Sequence, residues 1–124
     1  MAIKGLGTDI VEIERIANAV ENSDRLAQRV LTVSEMSIYL NHNDKARYLA
    51  KRWAAKEAAA KALGTGIGRG ISFQDFETTN DQLGAPKLAL FGSAKSLAQS
   101  KGADNYYLSI SDEINYAVAT VIFE

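Results

Sequence analysis

The sequence predicts an α+β fold, with helices gathered in the N-terminal half and packed on a mainly antiparallel sheet supplied late in the chain. Three features carry that reading. An alanine-rich run from Arg52 to Gly66 is the strongest helix signal, apolar residues recur at helical spacing before it, and alternating β-branched and aromatic runs follow it. At 124 residues the chain suits one domain, 1–124, with a single hydrophobic core. Apolar residues at 47% and charged residues at 23% exclude disorder as a description of the whole.

Ala2 to Val11 reads as a first strand in which Gly5 and Gly7 admit the close approach of another backbone or a ligand. Gly5-Leu6-Gly7 lacks the third glycine of a dinucleotide fingerprint. Asp9 lies between Leu6 and Ile10-Val11, where a carboxylate is costly to bury unless it meets a cation or several donors. The alternative is that Asp9 caps the helix beginning near Glu12.

Ile13, Ile16, Ala17 and Val20 define that helix. Asn22-Ser23-Asp24 breaks it and caps a short helix carrying Arg25 and Arg29, and Thr32 with Glu35 forms a capping box for a third helix through Tyr39 and Leu40. His42, the only histidine, falls at a helix end or loop, since zinc and triad chemistry need more partners.

The long helix starts near Asp44 or Lys45 and stops at Gly64-Thr65-Gly66. At about 100° per residue, Trp53, Glu57 and Lys61 share one stripe, with Gly64 just past its end. Six alanines between Arg52 and Gly66 leave little bulk on this part of the helix, so neighbours are expected unusually close to its backbone. The alternative is a core helix with a solvated Glu→Lys pair. Lys45, Arg47, Lys51, Arg52, Lys56 and Lys61 form a local basic surface suited to a phosphorylated or acidic partner, or else a solvated helix face.

Ile71 to Thr78 alternates as a half-buried strand, Asn80 to Gly84 turns the chain, and Pro86 opens the strand through Leu90. Ser93 to Lys101 is a helix with Ala94, Leu97 and Ala98 inward. Tyr106–Ser111 and Tyr116–Phe123 close the chain as a hairpin, and the first strand joins their sheet.

Several function classes drop out. A formal net charge of -1 argues against a general nucleic-acid binder, so an anion site must come from local clustering. Without cysteine there is no disulfide framework, thiolate metal site or cysteine nucleophile. The first residues lack the apolar run of a signal peptide, and no segment approaches the roughly 18 apolar residues of a membrane span, so a cytoplasmic protein with no membrane partner is expected. Asp9 and Glu57 set among cations suit a hard cation such as magnesium, which takes one or two carboxylates and fills its shell with water and phosphate oxygens. The glycine-rich Gly64–Gly70 stretch follows its helix, at the negative end of the dipole, so cationic side chains such as Lys61 must hold any phosphate.

Gly5-Leu6-Gly7-Thr8-Asp9-Ile10-Val11-Glu12-Ile13 together with Arg52-Trp53-Ala54-Ala55-Lys56-Glu57-Ala58-Ala59-Ala60-Lys61-Ala62-Leu63-Gly64-Thr65-Gly66 resembles the holo-acyl-carrier-protein synthases, the small group of the 4'-phosphopantetheinyl transferase superfamily. The likeness extends over Ser72–Asp75, Gly84–Pro86 and Tyr116–Val121. It implies transfer of 4'-phosphopantetheine from coenzyme A to a serine of apo-acyl carrier protein, releasing adenosine 3',5'-bisphosphate. By the same resemblance Asp9 and Glu57 are magnesium ligands and Lys61 neutralises phosphate charge. Glu57, directly or through a metal-bound water, takes the serine proton. Arg52, Lys56, Lys61, Gly64 and Pro86 match positions around coenzyme A. Arg15, Arg25 and Arg29 match a basic face for the carrier protein's acidic helix. The family's small members are typically homotrimers with sites between subunits. Where many members have histidine this chain has Asp112, which cannot donate to phosphate as a histidinium does.

Overall fold

Two glycines let the first strand lie backbone to backbone against the longest helix. In the computed structural model, which describes residues 2–124, a Cβ at Gly5 would stand 2.1 Å from the Ala62 carbonyl oxygen, and one at Gly7 1.9 Å from that of Ala58. The strand is β1 (Gly5–Glu12) and the helix, fourth in the chain, is α4 (Lys45–Leu63). The expected close approach is therefore made by protein backbone. It also explains the alanines on that side of the helix: Ala58 and Ala62, whose main chain β1 meets, are both buried, and a larger side chain at either would hold β1 away.

Between these two elements lie α1 (Ile13–Val20), α2 (Arg25–Val30) and α3 (Val33–Leu40). After α4 come β2 (Phe76–Asn80), β3 (Pro86–Leu90), α5 (Gly92–Ser100), β4 (Tyr106–Asp112) and β5 (Tyr116–Phe123). β1 does join the closing hairpin, in the antiparallel order β1-β5-β4, with Asp9 opposite Ala119. β2 and β3 instead pair with each other as a separate two-stranded sheet. Alternation places Gly5, Gly7, Asp9 and Val11 on one face of β1. That is the face α4 covers, while Leu6 and Ile10 remain largely exposed.

Local expectations divide in the same manner. Thr32 and Glu35 make the capping box of α3, Asp44 caps α4 through the Arg47 amide, and Gly64 ends α4 at φ +86°. Asp24 precedes α2, but it is Ser23 whose hydroxyl accepts the Arg25 amide. Asp9 caps nothing, because α1 starts at Ile13, beyond the strand. The strand expected from Ile71 begins only at Phe76. Ser72 donates through its amide and hydroxyl to Asp75, closing a 3-10 turn over Phe73–Asp75. His42 sits past the end of α3, its Nδ1 accepting the Asp44 amide and its ring beside Tyr48.

Candidate active site

Asp9, Glu57 and Lys61, far apart in the chain, meet where β1 crosses α4. Asp9 projects toward the helix because it shares the glycine face of β1. Its Oδ1 accepts a hydrogen bond from Lys61 Nζ at 3.1 Å, and the same ammonium donates to the Thr8 carbonyl at 3.0 Å. The other oxygen, Asp9 Oδ2, is buried with no partner. Glu57 stands one helical turn before Lys61. Burial first, and then the neighbouring Asp9 carboxylate, push its carboxyl above the ordinary glutamate range, against the pull of Lys61 and Arg29.

Asp9 and Glu57 share a hollow of about 460 Å³ with Arg15, Leu26 and Trp53. Trp53 packs on Phe73 at 5.0 Å between ring centroids, and Arg29 lies over the same Phe73 ring at 5.4 Å. Arg25 and Arg29 are exposed, one turn apart on α2. Arg15 is exposed on α1 at the edge of the hollow.

A second hollow, of about 320 Å³, shares no lining residue with the first and is bordered by Arg47, Lys51, Arg52, Asn80, Gly84 and Pro86, among others. Arg52 donates through Nη2 to Asn80 Oδ1 at 3.1 Å and lies over the Tyr48 ring at 4.6 Å, while its buried Nε has no partner. Gly64 lines neither hollow.

Here the expected basic surface needs correction. Lys56 is 0% exposed, and its ammonium donates to Glu35 Oε1 at 2.5 Å and to the Val30 carbonyl at 2.7 Å. It therefore faces neither hollow, which speaks against the expected contact with coenzyme A. Arg52 too is only 5% exposed. Arg47 is spent on Asp44, Asp112 and the Glu113 carbonyl. Asp112, expected only not to donate to phosphate, in fact pairs with Arg47 at 2.9 Å and Lys51 at 3.6 Å. Sequence reasoning missed that pairing, along with the contacts of Asn80. A capping box at Thr32 signalled Glu35 but not its bond to Lys56.

Among the described residues no group of three or more histidines and carboxylates could cage a metal. Two carboxylates are nevertheless enough for magnesium, which retains waters and takes phosphate oxygens. The unpartnered Asp9 Oδ2 and the mutual repulsion of Asp9 and Glu57 are what a hard cation would relieve, so the donor set fits one.

A family model described as the 4'-phosphopantetheinyl transferase superfamily matches residues 5–120. A holo-[acyl-carrier-protein] synthase of Vibrio parahaemolyticus is 57% identical over 125 residues, covering 100% of this chain and 99% of that protein. The crystal structure of the holo-[acyl-carrier-protein] synthase of Neisseria meningitidis superposes with a TM-score of 0.90 at 39% identity, over 99% of each chain. That of Bacillus anthracis, in complex with coenzyme A (3',5'-ADP), does so with a TM-score of 0.82 at 36% identity, over 98% of this chain and 96% of that one. With the strand-and-helix site in place and the likeness running end to end, the chain belongs to the 4'-phosphopantetheinyl transferase superfamily, among its holo-[acyl-carrier-protein] synthases.

Proposed function

We propose that this chain transfers 4'-phosphopantetheine from coenzyme A to a serine of apo-acyl carrier protein, giving the holo form and adenosine 3',5'-bisphosphate, in support of fatty acid biosynthesis. The observation that carries the proposal is the convergence of Asp9, Glu57 and Lys61 where β1 meets α4. The serine oxygen bonds to the phosphorus that bears pantetheine, and the bond from that phosphorus to the adenosine bisphosphate breaks. Glu57 accepts the serine proton. Lys61 spends two N–H donors on Asp9 and Thr8 and keeps the third for a phosphate oxygen. Asp9 thereby aims that ammonium while its own Oδ2 stays free. Asp9 and Glu57 hold magnesium, which when bound neutralises diphosphate charge.

Arg52, Gly64 and Pro86 contact coenzyme A, with Arg52 and Pro86 at the nucleotide end. Arg15, Arg25 and Arg29 meet the acidic helix of the carrier protein. One domain spans 1–124, and the chain works as a cytoplasmic homotrimer with sites between subunits. Two separate hollows on one chain, together with exposed Leu6 and Ile10 on a sheet-edge strand, support that assembly. No helix among the described residues is long and apolar enough to cross a membrane.

The test is the intact mass of apo-acyl carrier protein after incubation with this protein, coenzyme A and magnesium, beside a chelator control. A magnesium-dependent gain of about 340 Da, the mass of one added phosphopantetheine, is expected. No gain on a correctly folded carrier protein refutes the proposal.

A further inference from the structure

Lys56 and Glu35 form a buried ion pair that reaches neither hollow. Both are essentially inaccessible, at 0% and 1% exposure. Four donors converge on the Glu35 carboxylate. Oε1 accepts from Lys56 Nζ at 2.5 Å and the Thr32 amide at 2.9 Å, and Oε2 accepts from the Thr78 amide at 2.7 Å and the Thr78 hydroxyl at 3.2 Å. Lys56 also holds the Val30 carbonyl at the end of α2. One buried point thus joins α2, α3, α4 and β2.

Stability alone is a poor explanation for it. Desolvating two charges is costly, and apolar residues of similar volume often serve a core as well or better. What an apolar pair cannot do is fix the position of β2 along α4, because dispersion contacts carry no comparable direction. That position matters further along the strand. Asn80 lies two residues beyond Thr78, on the same face of β2. Its Oδ1 accepts from Arg52 Nη2, and its Nδ2 donates to the Gly84 carbonyl at 3.0 Å, in the turn that leads to Pro86. Arg52 is one helical turn before Lys56 on α4. A closed circuit therefore runs from α4 through Lys56, Glu35 and Thr78 along β2 to Asn80, and back to α4 at Arg52.

We infer that Lys56 and Glu35 are positioning residues for the coenzyme A hollow: they lock β2 against α4 so that Arg52 and the turn before Pro86 are held in place for the ligand. The inference rests on the reading that this hollow takes the nucleotide end of coenzyme A. The pair is neutral as a unit, so removing both halves leaves the hollow's own cations intact and changes only their placement.

The experiment is the double variant Glu35→Gln with Lys56→Met, in which the side-chain carbonyl that replaces the carboxylate can still accept the Thr78 amide. Adenosine 3',5'-bisphosphate binding is measured by calorimetry, transfer kinetics are measured with both substrates varied, and folding is followed by thermal unfolding. The expected result is a cooperative melt near that of the wild type, with bisphosphate affinity and the KM for coenzyme A each worse by at least about tenfold. The kcat and the KM for carrier protein should change by less than about twofold. A merely structural pair would not divide KM from kcat in this manner. Unchanged affinity in the folded variant, or an equal fall in kcat, overturns the inference. If the double variant fails to fold, Glu35→Asp keeps the charge and shortens its reach, and the same rise in KM is expected; an unchanged KM there overturns the inference equally. Wild-type protein that binds neither coenzyme A nor the bisphosphate removes the functional reading and this inference with it. Binding by wild type and folded variant alike removes this inference alone.

Discussion

Substituting alanine for Gly7 tests whether backbone contact between β1 and α4 builds the active site. The new Cβ would stand 1.9 Å from the Ala58 carbonyl oxygen and 2.7 Å from the Ala62 amide. Reaching even 3.0 Å from the oxygen requires more than 1 Å of separation, and the obstruction is main chain, which no rotamer change can clear. Overpacking of this kind costs about 3 kcal/mol, the upper part of the usual range. For a domain of this size that corresponds to a melting temperature lower by roughly 12 °C. Asp9 is two residues along the same face of β1, and its contact to Lys61 is already 3.1 Å. Displacement by about 1 Å there should lower turnover about 100-fold. Gly5→Ala, blocked at 2.1 Å by Ala62 but farther from Asp9, should lose similar stability and much less activity. Thermal unfolding and steady-state transfer assays on both variants decide the matter. A Gly7→Ala protein that melts within about 2 °C of wild type and retains its turnover would show that this backbone contact does not build the site.

Glu57→Gln should make the metal-free protein more stable at neutral pH. The carboxyl is raised above its unfolded value, so the protonated form is favoured in the folded state; the wild type loses stability as pH rises through the folded value, and the difference should vanish below about pH 4, where both states are protonated. Urea melts in chelator across that range check it, and a variant less stable than wild type at pH 7 contradicts it. Lys56→Met alone leaves Glu35 buried without its cation and should destabilise by about 3–5 kcal/mol in denaturant titration, while the double change with Glu35→Gln recovers most of that loss. Arg15→Glu should weaken carrier-protein binding more than coenzyme A binding, measured by titration of each ligand; equal losses would remove Arg15 from the partner face.

That β1 and α4 would each admit a close neighbour was legible because it rests on residues that matter through what they lack. Glycines in a strand and alanines on a helix permit an approach that larger side chains forbid, but neither run says that the other is its neighbour. Asp9 was legible for a related reason, since a carboxylate on that face has to meet a cation, and Lys61 supplies one. The Ser72–Asp75 segment misled because its alternation imitates a strand while local side-chain bonds close a turn first. The separateness of the β2–β3 sheet was not legible either. Hairpin alternation says which face is buried, not which neighbour an edge will find.

Lys56 was misread for a deeper reason. In the chain it sits between Ala55 and Glu57 and reads as part of one functional motif. On a helix, adjacent residues point about 100° apart, so the motif divides into two stripes with different work. Glu57 and Lys61 turn toward Asp9, whereas Arg52 and Lys56, one turn apart, turn toward β2 and α3. Nothing local to the motif reveals that division, because the partner that buries Lys56 is Glu35, on another helix and read from the sequence only as a cap. Substitutions on the first stripe should therefore act on chemistry and those on the second on ligand placement, even at neighbouring positions. A cation counted along the chain becomes a surface charge only when no buried acid is waiting for it.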